Sequence, residues 1–247
     1  MIKEAALKFW KNPVFILPIL FQGLASLLLV MLFLLVLAAI FGVSFLSEID
    51  SIVNSAQSIT QTIPQILSQN IALLIALGIL LLLSIIAAAS FFEGSLLGMI
   101  NSKKPGFREF RSGKKFFSRI FSFNLLLAAI VILIAAIIFV LALLAVKWAA
   151  LIVFIILLTL AFMIFLLFFT LSPFYIVIDN AGIKNSIRKS FRIVKKNFWG
   201  LVLLLILTSL ICMILRIIPR IGYFLSMLLG STYQRICVNM FAVSKAK

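Results

Sequence analysis

DNAGIKNSIRKSFRIVKKNFW, residues 179–199, is the stretch that decides the fold. On a helix, Ile183, Ile187, Phe191, Val194 and Phe198 fall at i, i+4, i+8, i+11 and i+15 and form one apolar stripe. Lys184, Arg188, Arg192 and Lys195 form a basic stripe beside it, and Asp179 or Asn180 is placed to cap the N-terminus. From Phe198 the chain enters an uninterrupted apolar run. The pattern predicts an amphipathic helix in a membrane interface that feeds a transmembrane helix. Weaker versions lie at 2–12 and 106–122.

Outward from this stretch, composition agrees. Of 247 residues, 65% are hydrophobic and 11% charged, which excludes an ordinary soluble domain. Apolar runs long enough to cross a bilayer are expected at about 14–42, 71–100, 121–146, 149–177, 198–215 and 221–243. The run from Val14 is too long for the core of a signal peptide, so it reads as a retained span. Pro13 suits its start, and Pro18 and Pro173 mark expected kinks. Residues 44–70 lack Lys and Arg; they read as a connector helix on the outer surface, or as a lid, interrupted at Pro64.

A net charge of +16 suggests nucleic acid in a soluble protein, but here the cations sit in short loops beside apolar spans. Lys3, Lys8, Lys11, the seven cations of 103–119, the six of 184–196, Lys245 and Lys247 fall on one side. The other side holds Lys147, Arg216 and Arg220. The expected topology is six helices in the cytoplasmic membrane with both termini cytoplasmic. In the first basic loop, Arg108, Arg111 and Lys115 alternate with phenylalanines, a pattern that beside a span fits lipid headgroups better than nucleic acid.

The chain also reads as three repeated units in one membrane domain, about 1–104, 105–180 and 181–247, each an amphipathic helix, a span, an outer turn and a returning span. Lys11-Asn12 resembles Lys196-Asn197, Gly106-Phe107-Arg108 resembles Gly182-Ile183-Lys184, and Ser102-Lys103 resembles Ser244-Lys245. Glu93 and Arg235 then lie at matching depth, and the cost of a charge inside the bilayer predicts that they pair. Small residues at Ser90, Gly94 and Gly98, and at Gly222, Ser226 and Gly230, suit close packing of helices, a membrane-protein partner or a second copy.

Asp179-Asn180-Ala181-Gly182-Ile183, Ser190-Phe191-Arg192 and Lys195-Lys196-Asn197-Phe198-Trp199 resemble a pattern in the membrane domain attached to some glycerophosphoryl diester phosphodiesterases. Uncharacterised six-helix membrane proteins of archaea and bacteria share it. The resemblance implies an integral membrane protein without the phosphodiesterase activity, which belongs to a separate soluble domain.

Histidine is absent, Glu93 is the only deeply placed acid, and Cys212 and Cys237 lie in apolar runs. Neither an enzyme nor a metal or other cofactor is expected. The sequence favours a scaffold or accessory protein that binds anionic lipids. The alternative is a small transporter or channel for an amphiphile, with a cytoplasm-facing polar vestibule near Glu93 and Arg235.

Overall fold

The computed structural model describes residues 2–53, 59–102, 105–145, 149–217 and 222–246, with side chains except at 2, 40–53, 59–70, 107–108, 142–145, 149–154 and 246. All regular structure among them is helical. In chain order it comprises α1 (Ile2–Lys11), a 3-10 turn (Pro13–Phe15), α2 (Ile16–Val53), α3 (Ile59–Asn101), α4 (Phe107–Phe110) and α5 (Ser112–Ala145). Then follow α6 (Ala149–Leu167), α7 (Ser172–Ile178), α8 (Ile183–Lys196), α9 (Phe198–Arg216), α10 (Gly222–Leu225), a π-helical turn (Ser226–Gly230) and α11 (Ser231–Ala246).

Five stretches are long and apolar enough to cross a membrane: Pro13–Ala39, Ile71–Asn101, Ser112–Leu141, Ile155–Ile178 and Phe198–Arg216. Their large side chains are widely exposed, among them Leu28, Leu35, Leu133, Phe139, Met163 and Ile214. Water would penalise such a surface heavily, whereas lipid solvates it. The chain is a polytopic membrane protein.

Two compact units divide the chain. One comprises 22–89, where α2 and α3 line an apolar groove through Leu29, Leu32, Phe33, Val36, Leu77, Leu80 and Leu81. The other comprises 1–21 and 90–247 and holds the buried core. There α11 packs against α1, α7 and α9, and α8 against α7 and α9. Thr232, Ile236, Cys237, Val238, Asn239, Phe241 and Ala242 of α11 are all buried. A helix far less apolar than the five long stretches is thus among the most enclosed. Lipid selects for apolar surface, so polar residues are tolerated where protein covers them. Gly222–Ala246 is helical throughout, which covers the expected sixth span, but its polar residues set it apart from the five apolar stretches.

Helix ends follow from individual residues. At Asn12 and at Asn197 the backbone leaves helical geometry (φ −138° and −127°). Each asparagine side chain turns back to donate to the carbonyl four residues earlier, Lys8 and Ile193, at 3.1 Å in both cases. The carbonyls of the last turn thereby gain a donor, and the following span starts afresh. The middle unit differs. The stretch 106–122 is not a separate interfacial helix: after the single turn of α4, α5 runs unbroken from Ser112 to Ala145. Ile120-Phe121 stands where the other units have Lys-Asn, and nothing there interrupts the helix.

Two further expectations are corrected. The connector is no separate surface helix, because α2 continues to Val53 and α3 already starts at Ile59. No glycine lies between 44 and 70, and the N–H that Pro64 lacks would bond only to the first turn of α3, so the proline does not interrupt it. The N-cap of α8 is Gly182, without a side-chain cap. Asn180 instead adopts φ 52°, and Asp179 pairs with Lys189. The outer turns expected at Lys147-Trp148 and Pro219-Arg220 lie outside the described residues.

Pro173 breaks the fourth span between α6 and α7. It has no N–H to give the Phe169 carbonyl, which takes the Ser172 N–H instead. The Phe168 carbonyl accepts the Ser190 hydroxyl of α8. Ser190→Ala leaves that carbonyl without this donor, and an expected loss of about 1–3 kcal/mol follows. Denaturant titration followed by circular dichroism measures it. An unchanged midpoint would show that the bond does not hold α8 in place.

Candidate functional site

Two polar features stand out, one inside the helical core and one on its basic end. Inside, Glu93, Leu97 and Asn101 recur every fourth residue and so share a face of α3, as Arg235 and Asn239 do on α11. Arg235 Nη1 donates to Glu93 Oε1 at 2.7 Å. Asn124 of α5 donates to the other carboxylate oxygen at 3.3 Å and to Ser90 Oγ at 3.0 Å. Asn101 and Asn239 exchange amide hydrogen bonds at 3.2 Å in both directions. Three helices are therefore joined by a ladder whose members satisfy each other. The Glu93 side chain is 15% exposed and Arg235 31%, so the pair is largely withdrawn from solvent.

Close packing holds this geometry. A Cβ at Gly113 of α5 would meet Ser95 Oγ and would stand 2.6 Å from the Phe91 carbonyl oxygen; one at Gly98 would meet the Ser112 side chain. The face of Gly94 and Gly98 is thus filled by α5 of the same chain, and Gly230 is filled by Cys212 of α9.

The second feature is the basic face. Lys184, Arg188, Arg192, Lys195 and Lys196 of α8 are exposed, while Ser186, Ser190, Ile193 and Val194 are buried beneath them. Arg188 and Arg192 line a recess of about 430 Å³ together with Asn185, Lys189, Ile193 and Lys245. Lys189 is held in place by Asp179 Oδ2 at 2.6 Å and lies 4.7 Å from the centre of the Tyr175 ring. Lys184 and Lys195 lie elsewhere on α8 and do not line the recess. Arg111, in the turn before α5, and Lys115, in its first turn, are exposed and do not line it either; the Arg108 side chain lies outside the described residues.

Around this face the helix ends are tied together. Lys8 of α1 donates to the Ile100 carbonyl near the end of α3 at 2.5 Å, and burial lowers its pKa from the ordinary lysine value. Arg119 of α5 donates to the backbone and side-chain oxygens of Asn180, both at 2.8 Å. Tyr175 donates to the Ala242 carbonyl at 3.1 Å. Trp10 and Trp199, beside the two asparagine breaks, are 76% and 79% exposed, as indoles at a membrane interface are.

Sequence reasoning missed Lys245 as a partner of Arg188 and Arg192, because a recess between two distant helices leaves no local pattern; Asn185 and Lys189, on the same helix, were within reach of its spacing. It missed Asn101 with Asn239, although Asn239 stands one turn from Arg235 and that spacing was a usable signal. Among the described residues, no three His, Cys, Asp or Glu side chains are grouped to hold a metal ion.

Comparison of the chain with known protein families, with curated proteins and with solved structures gave no match.

Proposed function

We propose that this chain is a non-catalytic scaffold or accessory domain of the cytoplasmic membrane that grips anionic lipid headgroups through the basic face of α8. The observation that carries the reading is the division of α8 itself. Ser186, Ser190, Ile193 and Val194 are buried against the core, Ile183, Ile187 and Phe191 are half-buried against it, and five cations of the same helix are exposed. A helix fixed to the protein in this way presents its cations to a membrane surface without having to fold there. Exposed Trp199 at the start of α9 and Trp10 at the end of α1 give the face an interfacial level.

The proposal includes six crossings in three out-and-back pairs, with both termini on the cytoplasmic side. Three ties support it. Lys8 reaches the end of α3, Arg119 reaches the residues just after α7, and Lys245 returns to α8, so each excursion ends at the level where it began. The matching asparagine breaks before α2 and α9 support duplication of the units. The positive-inside bias supports the orientation. Resemblance to the phosphodiesterase-associated membrane domain belongs to the same proposal and rests on residues 179–199. A scaffold is favoured over a transporter because the polar groups in the ladder bond to one another.

Replacing Arg188, Arg192 and Lys195 together by Gln tests the headgroup reading. Removal of three surface cations is expected to weaken binding to nanodiscs containing anionic lipid by about 3 kcal/mol in total. Flotation of the reconstituted protein with soluble anionic-lipid nanodiscs measures the change, and binding equal to wild type would defeat the assignment.

A further inference from the structure

The basic recess differs from the rest of the α8 face in having two walls. Arg188 and Arg192 stand one turn apart on α8, and Lys245 approaches from the last turn of α11. Asn185 adds an amide donor, and among the described residues no carboxylate side chain lines the recess. Asp179, the acid nearest in the chain, is bonded to Lys189 and fixes that ammonium over Tyr175. Diffuse attraction to an anionic surface needs only net positive charge. Donors converging on one recess from two helices suit a compact group with several oxygens and more than one negative charge.

We infer that the recess is a phosphomonoester site, in which Arg188, Arg192 and Lys245 together hold the terminal phosphate of a headgroup such as that of phosphatidate. This rests on the headgroup reading above and deepens it. A phosphomonoester carries about 1.5–2 negative charges at pH 7 and three acceptor oxygens, against one charge and two free oxygens for a phosphodiester headgroup. Guanidinium groups match such oxygens in pairs, and an ammonium adds a point charge from the open side. The lipid is favoured as the source because the recess lies on the helix that leads through Phe198 and exposed Trp199 into the apolar α9.

The test is native mass spectrometry of the full chain released from detergent, titrated with phosphatidate, phosphatidylglycerol and phosphatidylcholine of the same acyl chains. The expected result is a preference for phosphatidate over phosphatidylglycerol of about tenfold, the size of one added charge-assisted hydrogen bond. Lys245→Gln removes most of that preference and Lys245→Arg keeps it. Lys3→Gln, an exposed cation of α1 outside the recess, leaves the ratio unchanged. Equal binding of phosphatidate and phosphatidylglycerol, or a Lys245→Gln loss shared equally by both, overturns the inference. A loss of preference for either anionic lipid over phosphatidylcholine in the wild type overturns the broader headgroup reading as well. Inorganic phosphate separates the sources. Displacement of phosphatidate that depends on Lys245 supports the site with a soluble phosphomonoester as its ligand, and retention of phosphatidate supports the lipid.

Discussion

Glu93→Gln is expected to lower the stability of the detergent-solubilised chain by about 3 kcal/mol, the low end for breaking a buried ion pair because Arg235 keeps some access to its surroundings. The loss has two sources. The bond to Arg235 Nη1 loses its charge, and the guanidinium is left in a weakly polar environment with only neutral partners. Glu93→Gln combined with Arg235→Gln removes the stranded cation and should recover much of the loss, since the two amides can still bond to each other. The four-member cycle of wild type, single variants and double variant, read by unfolding in increasing denaturing detergent, isolates the coupling. Strictly additive losses would mean that the two charges act independently, contrary to the ladder drawn from Asn124, Glu93 and Arg235.

Gly113→Ala is the second large effect. The added methyl has no free direction, because the nearest obstacle after Ser95 Oγ is the backbone carbonyl of Phe91. Ser95 donates from that position to the Phe91 carbonyl of its own helix and to the Phe110 carbonyl, both at 2.9 Å, so rotating it away forfeits the bond that ties α3 to α4. Separation of α5 from α3 would also stretch Asn124 from Glu93. An overpacked contact of this kind costs about 3 kcal/mol. Gly78→Ala in α3 is the control: its Cβ meets nothing, so the helix should gain up to about 1 kcal/mol from the better helix former. Thermal unfolding of the two variants beside wild type makes the comparison. Equal stabilities would contradict the close approach of α3 and α5.

The parts of this architecture that sequence could reveal are those governed by one helix at a time. The 183–198 stripe, the apolar runs and the two Lys-Asn breaks are local patterns, and helix periodicity or a single side chain enforces each of them. The misreadings arose where two local signals competed. At 106–122 basic and aromatic alternation looks like an interfacial helix, but Gly113 and Ser112 dock on Gly94 and Gly98, so the segment is absorbed into α5. At 44–70 polarity suggested a surface connector, whereas Ser44, Ser47 and Ser51 simply prolong α2, and Gln61, Gln65, Ser68, Gln69 and Asn70 prolong α3. Lys245 was read as a topology signal and as part of a repeat match. Its place beside Arg188 and Arg192 depends on α11 packing against α7 and α9, a tertiary fact that no spacing in the sequence encodes.

On the proposed topology α8 and the end of α11 form one basic surface on the cytoplasmic side, with Gly222–Ala246 as the returning span. The most direct test is labelling with a membrane-impermeant thiol reagent in intact cells and in inverted vesicles. Lys195→Cys, Lys245→Cys and Lys147→Cys are introduced singly in a background where Cys212 and Cys237 are replaced by Ala. Lys195→Cys and Lys245→Cys are expected to label only in inverted vesicles and Lys147→Cys only in intact cells. Labelling of Lys195→Cys and Lys245→Cys from opposite sides would contradict it.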